Sequence, residues 1–108
     1  MLHIMELPLE QAAEILAQLG NKTRLQIIRH LVKAGEEGVS VGGIQTELGV
    51  PASTLSHHLR YLRQVGLISQ RREGTVLHCA MNYPLIDGIV AFLTHQCCIN
   101  STTGKTAG

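Results

Sequence analysis

The chain has 108 residues, enough for one domain with a single modest core. It is 44% hydrophobic but only 3% aromatic, with no Trp and one Phe, so Leu, Ile and Val must build that core. A formal net charge of +1 excludes a strongly basic or acidic chain, and no apolar run is long enough for a membrane span.

The distribution of charge says more than its sum. Residues 1–20 carry Glu6, Glu10 and Glu14 and no Lys or Arg, whereas residues 51–79 carry Arg60, Arg63, Arg71 and Arg72 against Glu73 alone. A basic patch of this kind is what electrostatic docking requires. The N-terminus lacks a basic region followed by an apolar one, so a cytoplasmic protein is expected. Three cysteines, two of them adjacent, do not make an even disulfide framework; in a reducing cytosol they read as thiols kept for chemistry.

In chain order, Leu9, Ala12, Ala13, Leu16 and Leu19 recur at helical spacing over residues 8–19, with Pro8 suited to the first turn. Gly20 closes this helix and Asn21 caps the next, whose predicted apolar face is Leu25, Ile28, Leu31 and Val32, up to Gly35. Ser40 caps a third helix with Val41, Ile44 and Leu48 turned inward and Gly49 as terminator. Pro51 opens a fourth helix that runs to about Val65 and stops at Gly66. Strands near 67–72 and 75–81 follow, joined at Glu73-Gly74. Asn82 then caps a last helix with Ile86, Ile89, Val90, Leu93 and Cys97 on one side.

Four helices, a hairpin and a fifth helix make an α+β, mainly α fold: a winged helix-turn-helix with a two-stranded wing and an extra helix at each end. The end helices have little left to cover inside so small a domain, so a homodimer through them is expected. Residues 1–98 form the domain, and the small, polar residues 99–108 read as a flexible tail.

On the fourth helix Leu55, His58, Leu59 and Leu62 fall on one face, and Ser53, Ser56, His57, Arg60 and Gln64 on the other. The outer set is short and donor-rich near the helix start, so it can approach a DNA groove closely. Ser53 and Ser56 suit bases or phosphates, Arg60 suits phosphate or guanine, and Ala52 and Thr54 suit a thymine methyl. Arg71, Arg72 and Thr75 surround the wing turn, where backbone or minor-groove contact is expected. Either piece alone reads as a solvated surface; the two in tandem favour DNA. His58 reads as a packed, hydrogen-bonded histidine, and His57 as a DNA contact or a plain surface residue. No nucleophile with its base, carboxylate pair or Gly-rich phosphate loop stands at a useful spacing, so no enzyme is expected.

The runs LGNKTRLQIIRHL, SVGGIQTELGVPASTLSHHLRYLRQVGLI and REGTVLHCAMN resemble the ArsR/SmtB family of metal- and metalloid-responsive repressors over about residues 8–98. The resemblance implies a homodimer on a palindromic double-stranded operator that leaves it when an inducer binds. One departure is Pro51, where the family usually has a capping Ser or Thr. Two of the family's inducer sites are missing here. The third-helix cysteines would fall at Ser40 and Gly42, and the last-helix zinc site is broken because Asp87 is followed by Ile89; His95 alone reads as a surface histidine.

Cys97 and Cys98 remain, and they resemble the branch with a C-terminal cysteine pair that binds trivalent arsenicals. Soft thiolates suit a thiophilic centre. Methylarsenite offers two exchangeable positions and matches two thiols; arsenite or antimonite wants a third sulfur, which Cys79 would supply if it lay close. Cys79 reads equally as a small buried apolar residue. A redox or persulfide sensor on the same fold, a winged-helix protein-interaction module, and two cysteines merely packing at a helix end are the other readings.

Overall fold

A computed structural model of the protein describes residues 6–101. Five helices and three strands follow in the order α1 (Leu9–Leu19), α2 (Lys22–Ala34), β1 (Val39–Ser40), α3 (Val41–Leu48), α4 (Ala52–Gln64), β2 (Ile68–Glu73), β3 (Val76–Met81) and α5 (Tyr83–Thr94). The sheet is antiparallel with β3 in the middle, in the order β1-β3-β2.

Side chains at the helix starts satisfy backbone donors that would otherwise be orphaned. Asn21 accepts from the Arg24 amide at 3.0 Å, Ser40 from the Gly43 amide at 3.0 Å, and Asn82 from the Leu85 amide at 3.3 Å. Gly49 ends α3 in the left-handed conformation, φ 66°, with its N–H donating to the Gln45 carbonyl at 2.8 Å. That residue makes the tight turn between α3 and α4, and Pro51 in extended conformation sets the entry into α4.

The largest fully buried side chains among the described residues are Ile15 of α1, Ile27 and Leu31 of α2, Ile44 of α3, Leu55 and Leu62 of α4, Leu67, and Cys79 of β3. No Phe or Tyr is among them. The inner face of α4 is the expected one, and α1 and α2 keep part of theirs: Ala12, Ile28 and Leu31 are buried and Leu16 and Leu19 pack against the core, whereas Ala13 is exposed. Ile15 and Ile27 face the core, whereas Leu9, Leu25 and Val32 are exposed. Periodicity alone allowed either set, because both helices are apolar on more than one face.

Two further differences bear on function. Val39 and Ser40 pair with Cys79 and His78 as a short third strand, where only a helix cap was expected. Gly38 makes this pairing possible: it sits at φ 80°, and a Cβ there would lie 2.2 Å from the Cys79 carbonyl oxygen. The last helix is also shorter than expected. It ends at Thr94, whose hydroxyl donates back to the Val90 carbonyl at 2.9 Å, and His95, with ψ 129°, has already left helical geometry. Cys97 therefore lies beyond the helix rather than on its apolar side. The predicted tail begins within a run of turns through Asn100, and residues 102–108 lie outside the described residues.

Large apolar side chains are left on the outside at both ends of the fold. Leu9 on α1, Val90 and Leu93 on α5 and Ile99 just past it are each more than half exposed. No helix among the described residues is long and apolar enough to cross a membrane.

Candidate nucleic-acid interface and thiol pair

The core face of α4 fixes which side chains it shows outward. With Leu55, Leu59 and Leu62 buried, Ala52, Ser53, Thr54, Ser56, His57 and Arg60 are all exposed. Pro51 supplies no side-chain cap, so the first amides of α4 keep their donors for solvent or a ligand. The helix contains no Asp or Glu. Its outer surface is therefore purely donor-rich and cationic, as contact with a polyanion requires.

The wing continues this surface. Gly74 turns the chain at φ 62° between β2 and β3, and Arg71, Arg72 and Thr75 are exposed around it. The two arginines differ. Arg71 donates to the Glu37 carbonyl at 3.0 Å and pairs with Glu73 at 3.5 Å, whereas neither kind of contact is made by Arg72 among the described residues. Glu73 also meets His78 at 3.1 Å.

Three residues that sequence reasoning did not single out hold this apparatus together. Arg24 of α2 donates from Nε to the Gln18 carbonyl at 2.7 Å and from Nη1 to Nδ1 of His58 at 3.2 Å. Because an arginine only donates, this contact makes Nδ1 the acceptor and leaves the ring proton on Nε2. His58 is thus hydrogen-bonded, as expected, but half-buried rather than deep in the core. Burial first, then the Arg24 charge and His57, hold its pKa below the usual histidine value. Tyr61 packs edge-on against His57, with ring centres 4.7 Å apart, and both Arg24 and Arg60 lie over its ring. The His57–Tyr61 spacing of one helical turn was visible in the sequence; the arrival of Arg24 from α2 was not.

Gln70 of β2 is the third. Its carbonyl accepts from Nη1 of Arg63 at the end of α4 at 2.6 Å, and its amide donates to Sγ of Cys79 at 3.3 Å. Cys79 is fully buried, and burial, the largest effect, pushes its thiol pKa up, against smaller opposing effects of Gln70 and Arg63.

Cys97 and Cys98 stand in a different setting. Their sulfurs are 3.3 Å apart, well beyond the roughly 2.05 Å of a disulfide. Cys97 is exposed and Cys98 partly so. Gln96 and Cys98 both adopt positive φ, 58° and 65°, a conformation side chains other than Gly rarely hold. These two turns are what bring adjacent side chains to one side of the backbone. The structure brings the pair together but not Cys79 with it: among the described residues no group of three His, Cys, Asp or Glu side chains clusters as a metal site.

A short helix, a tight glycine turn, an exposed cationic helix and a basic β-hairpin in this order define a winged helix-turn-helix DNA-binding protein. A helix-turn-helix domain family matches residues 19–71. An HTH-type transcriptional regulator, MJ1325 of Methanocaldococcus jannaschii, is 42% identical over 66 residues, 61% of this chain and 72% of that protein. A putative arsenical resistance operon repressor, ArsR of Halobacterium salinarum, is 41% identical over 66 residues, spanning 61% of this chain but 50% of that one. The solution structure of Mb0332 from Mycobacterium bovis, a homodimeric winged helix-turn-helix domain and possible ArsR-family regulator, superposes with a TM-score of 0.64 at 29% identity over 87% of each chain. The chain belongs to the ArsR family of winged-helix transcriptional regulators, which are DNA-binding proteins and not enzymes.

Proposed function

We propose that the protein is a homodimeric repressor that sits on a palindromic operator and leaves it when a trivalent arsenical, methylarsenite foremost, binds Cys97 and Cys98. The observation that carries this reading is the 3.3 Å approach of two accessible sulfurs on a strained turn. Metal–sulfur bonds are about 2.3 Å long, so one bridging centre reaches both sulfurs with little rearrangement. The Halobacterium relative, named as an arsenical resistance repressor, supports the choice of inducer class.

The chemistry balances without any change of oxidation state. Methylarsenite carries two As–OH groups and one As–CH3. Each As–O bond is replaced by an As–S bond, and each thiol proton leaves in a molecule of water, two waters in all. Two thiols satisfy the methylated species completely. Arsenite keeps a third hydroxyl unless another sulfur takes it, and the buried Cys79 is poorly placed to do so within one chain.

The exposed Leu9, Val90 and Leu93 give α1 and α5 the apolar faces that a two-fold partner would cover. In such a dimer the two copies of α4 enter successive major grooves, roughly 34–36 Å apart. The pair lies directly after α5, so capture of the arsenical alters the end of the dimer helix, and a changed dimer angle spoils that spacing.

Operator release measured by fluorescence anisotropy tests this reading, with methylarsenite, arsenite and zinc against the wild type and Ser replacements of Cys79, Cys97 and Cys98. Release by methylarsenite that is lost in Cys97→Ser and in Cys98→Ser and kept in Cys79→Ser is expected. Full response in Cys97→Ser sinks the site. Response to peroxide with none to arsenicals replaces it by a redox sensor.

A further inference from the structure

Tyr61 sits on α4 one turn after His57, at the edge of the outward stripe and on the side nearest α2. Its ring is already committed: His57 meets it edge-on at 4.7 Å, and the guanidinium carbons of Arg24 and Arg60 lie 5.3 and 5.8 Å from its centre. Its hydroxyl is not. Among the described residues it makes no hydrogen bond, whereas the other described tyrosine, Tyr83, donates to the Leu31 and Val32 carbonyls. Neither guanidinium has a carboxylate partner, since the ion pairs of the described residues all end on Glu73 at the wing. Arg24 is also rigidly held, with Nε on the Gln18 carbonyl and Nη1 on His58.

Two unneutralised cations and an unused hydroxyl around one ring form a concentrated donor site with no anion to receive it. Each cation is favourably placed over the ring by itself, and an anion reached by both would be held by charge-assisted hydrogen bonds. Arg, Tyr and other such donors are what bind phosphate oxygens in protein–DNA complexes.

We propose that Arg24, Arg60 and Tyr61 form a cradle for one phosphate of the operator backbone, gripping the duplex on the side of α4 opposite the wing. The inference rests on the DNA-binding reading of α4 and deepens it. The recognition helix then lies between two backbone holds, Arg72 at the wing and Tyr61 at the α2 side. Arg24 enters the interface from α2, outside the reading helix and the wing, and so carries no base information; its part is to fix how deep and at what angle α4 sits.

The test uses the full-length protein and two duplexes: one selected from a random pool by the wild type, and one of unrelated sequence. Tyr61→Phe keeps the ring and both overlying cations and removes only the hydroxyl. It should weaken binding to both duplexes by the same factor, on the order of tenfold, with an unchanged salt slope. Arg24→Gln should weaken both as well and reduce the slope of log K against log salt by about 1 for each protomer. Its melting temperature is measured alongside, because the change also cuts the tie to His58. Wild-type affinity of Tyr61→Phe for both duplexes overturns the cradle. Loss on the selected duplex only also overturns it, since that marks a base contact. A wild type that selects and binds no DNA overturns the reading of α4 as a whole, and with it the cradle.

Discussion

Gln70 and Cys79 face each other across the hairpin, and the Gln70 amide donates to the Cys79 sulfur at 3.3 Å while its carbonyl holds Arg63 of α4. The buried thiol is thereby part of the joint between the reading helix and the wing. Two outcomes follow from its setting. Cys97, exposed, should react with a thiol reagent in the native state, whereas Cys79 should react only as fast as the domain opens. Counting thiols against time separates the classes, and a fast-reacting Cys79 would contradict the burial. The second outcome is in the pH dependence. Burial raises the folded thiol pKa, so the folded chain keeps a proton that the unfolded chain releases. Stability from this source is complete below the ordinary thiol pKa, about 8.5, and is lost as pH rises through the folded value. Cys79→Ala should flatten the alkaline arm of a melting-temperature profile relative to wild type.

His58 gives the opposite dependence. Its folded pKa is lowered, chiefly by burial and then by Arg24, so protonation is easier in the unfolded chain. The unfolded state takes up the proton first as pH falls below about 6.5, and stability declines from there through the folded value. Protonation also removes the acceptor that Nδ1 offers Arg24. Thermal unfolding between pH 5 and 8 should show this loss in the wild type and a shallower one in His58→Gln. Equal slopes in the two proteins would remove the role assigned to the ring.

At the wing the two arginines should separate in DNA binding. Arg71 is drawn back by the Glu37 carbonyl and Glu73, while Arg72 has no such partner among the described residues. Arg72→Ala is expected to weaken binding more than Arg71→Ala and to lower the salt slope by about 1 per protomer. Glu73→Gln should strengthen binding two- to threefold, roughly the effect of removing a single exposed carboxylate near phosphate. Titrations at several salt concentrations distinguish these cases, and equal slopes for the two arginine variants would refute the division.

Leu93 on α5 is 61% exposed in the single chain and lies in line with Val90. If α5 is the two-fold contact, Leu93→Glu places two carboxylates in it. The dimer dissociation constant should rise by about 100-fold, and DNA binding should fall with it at low protein concentration. Sedimentation measures the first effect directly. An unaltered dimer would move the interface elsewhere.

The order of elements, their caps and the outward stripe of α4 were legible because each is written locally. Asn21, Ser40, Gly49 and Asn82 act where their spacing put them. What was not legible depends on partners distant in the chain. The strand Val39–Ser40 is two residues long and doubles as a helix start, so it exists only through Cys79 and His78, about 40 positions away. The buried faces of α1 and α2 are set by their neighbours, α2 for α1 and β3, α3 and α4 for α2, which is why Ile15 and Ile27 join Ala12, Ile28 and Leu31 inside while Leu9, Leu25 and Val32 stay out. Arg24 meets His58 across 34 residues, and no motif announces such a contact. The end of α5 was misplaced for a local reason: Thr94 and His95 leave the helix without a glycine or proline to signal it.

Between β3 and α5 the chain has one residue, Asn82, and that residue is fastened on three sides. Its amide N–H donates to the Leu67 carbonyl at 2.9 Å, its side-chain NH2 to the Gly66 carbonyl at 2.8 Å, and its side-chain oxygen accepts from Leu85. There is consequently no slack between the helix that precedes the thiols and the exit of the helix that faces DNA. The two are joined like arms of one bell-crank, with Asn82 as its pin.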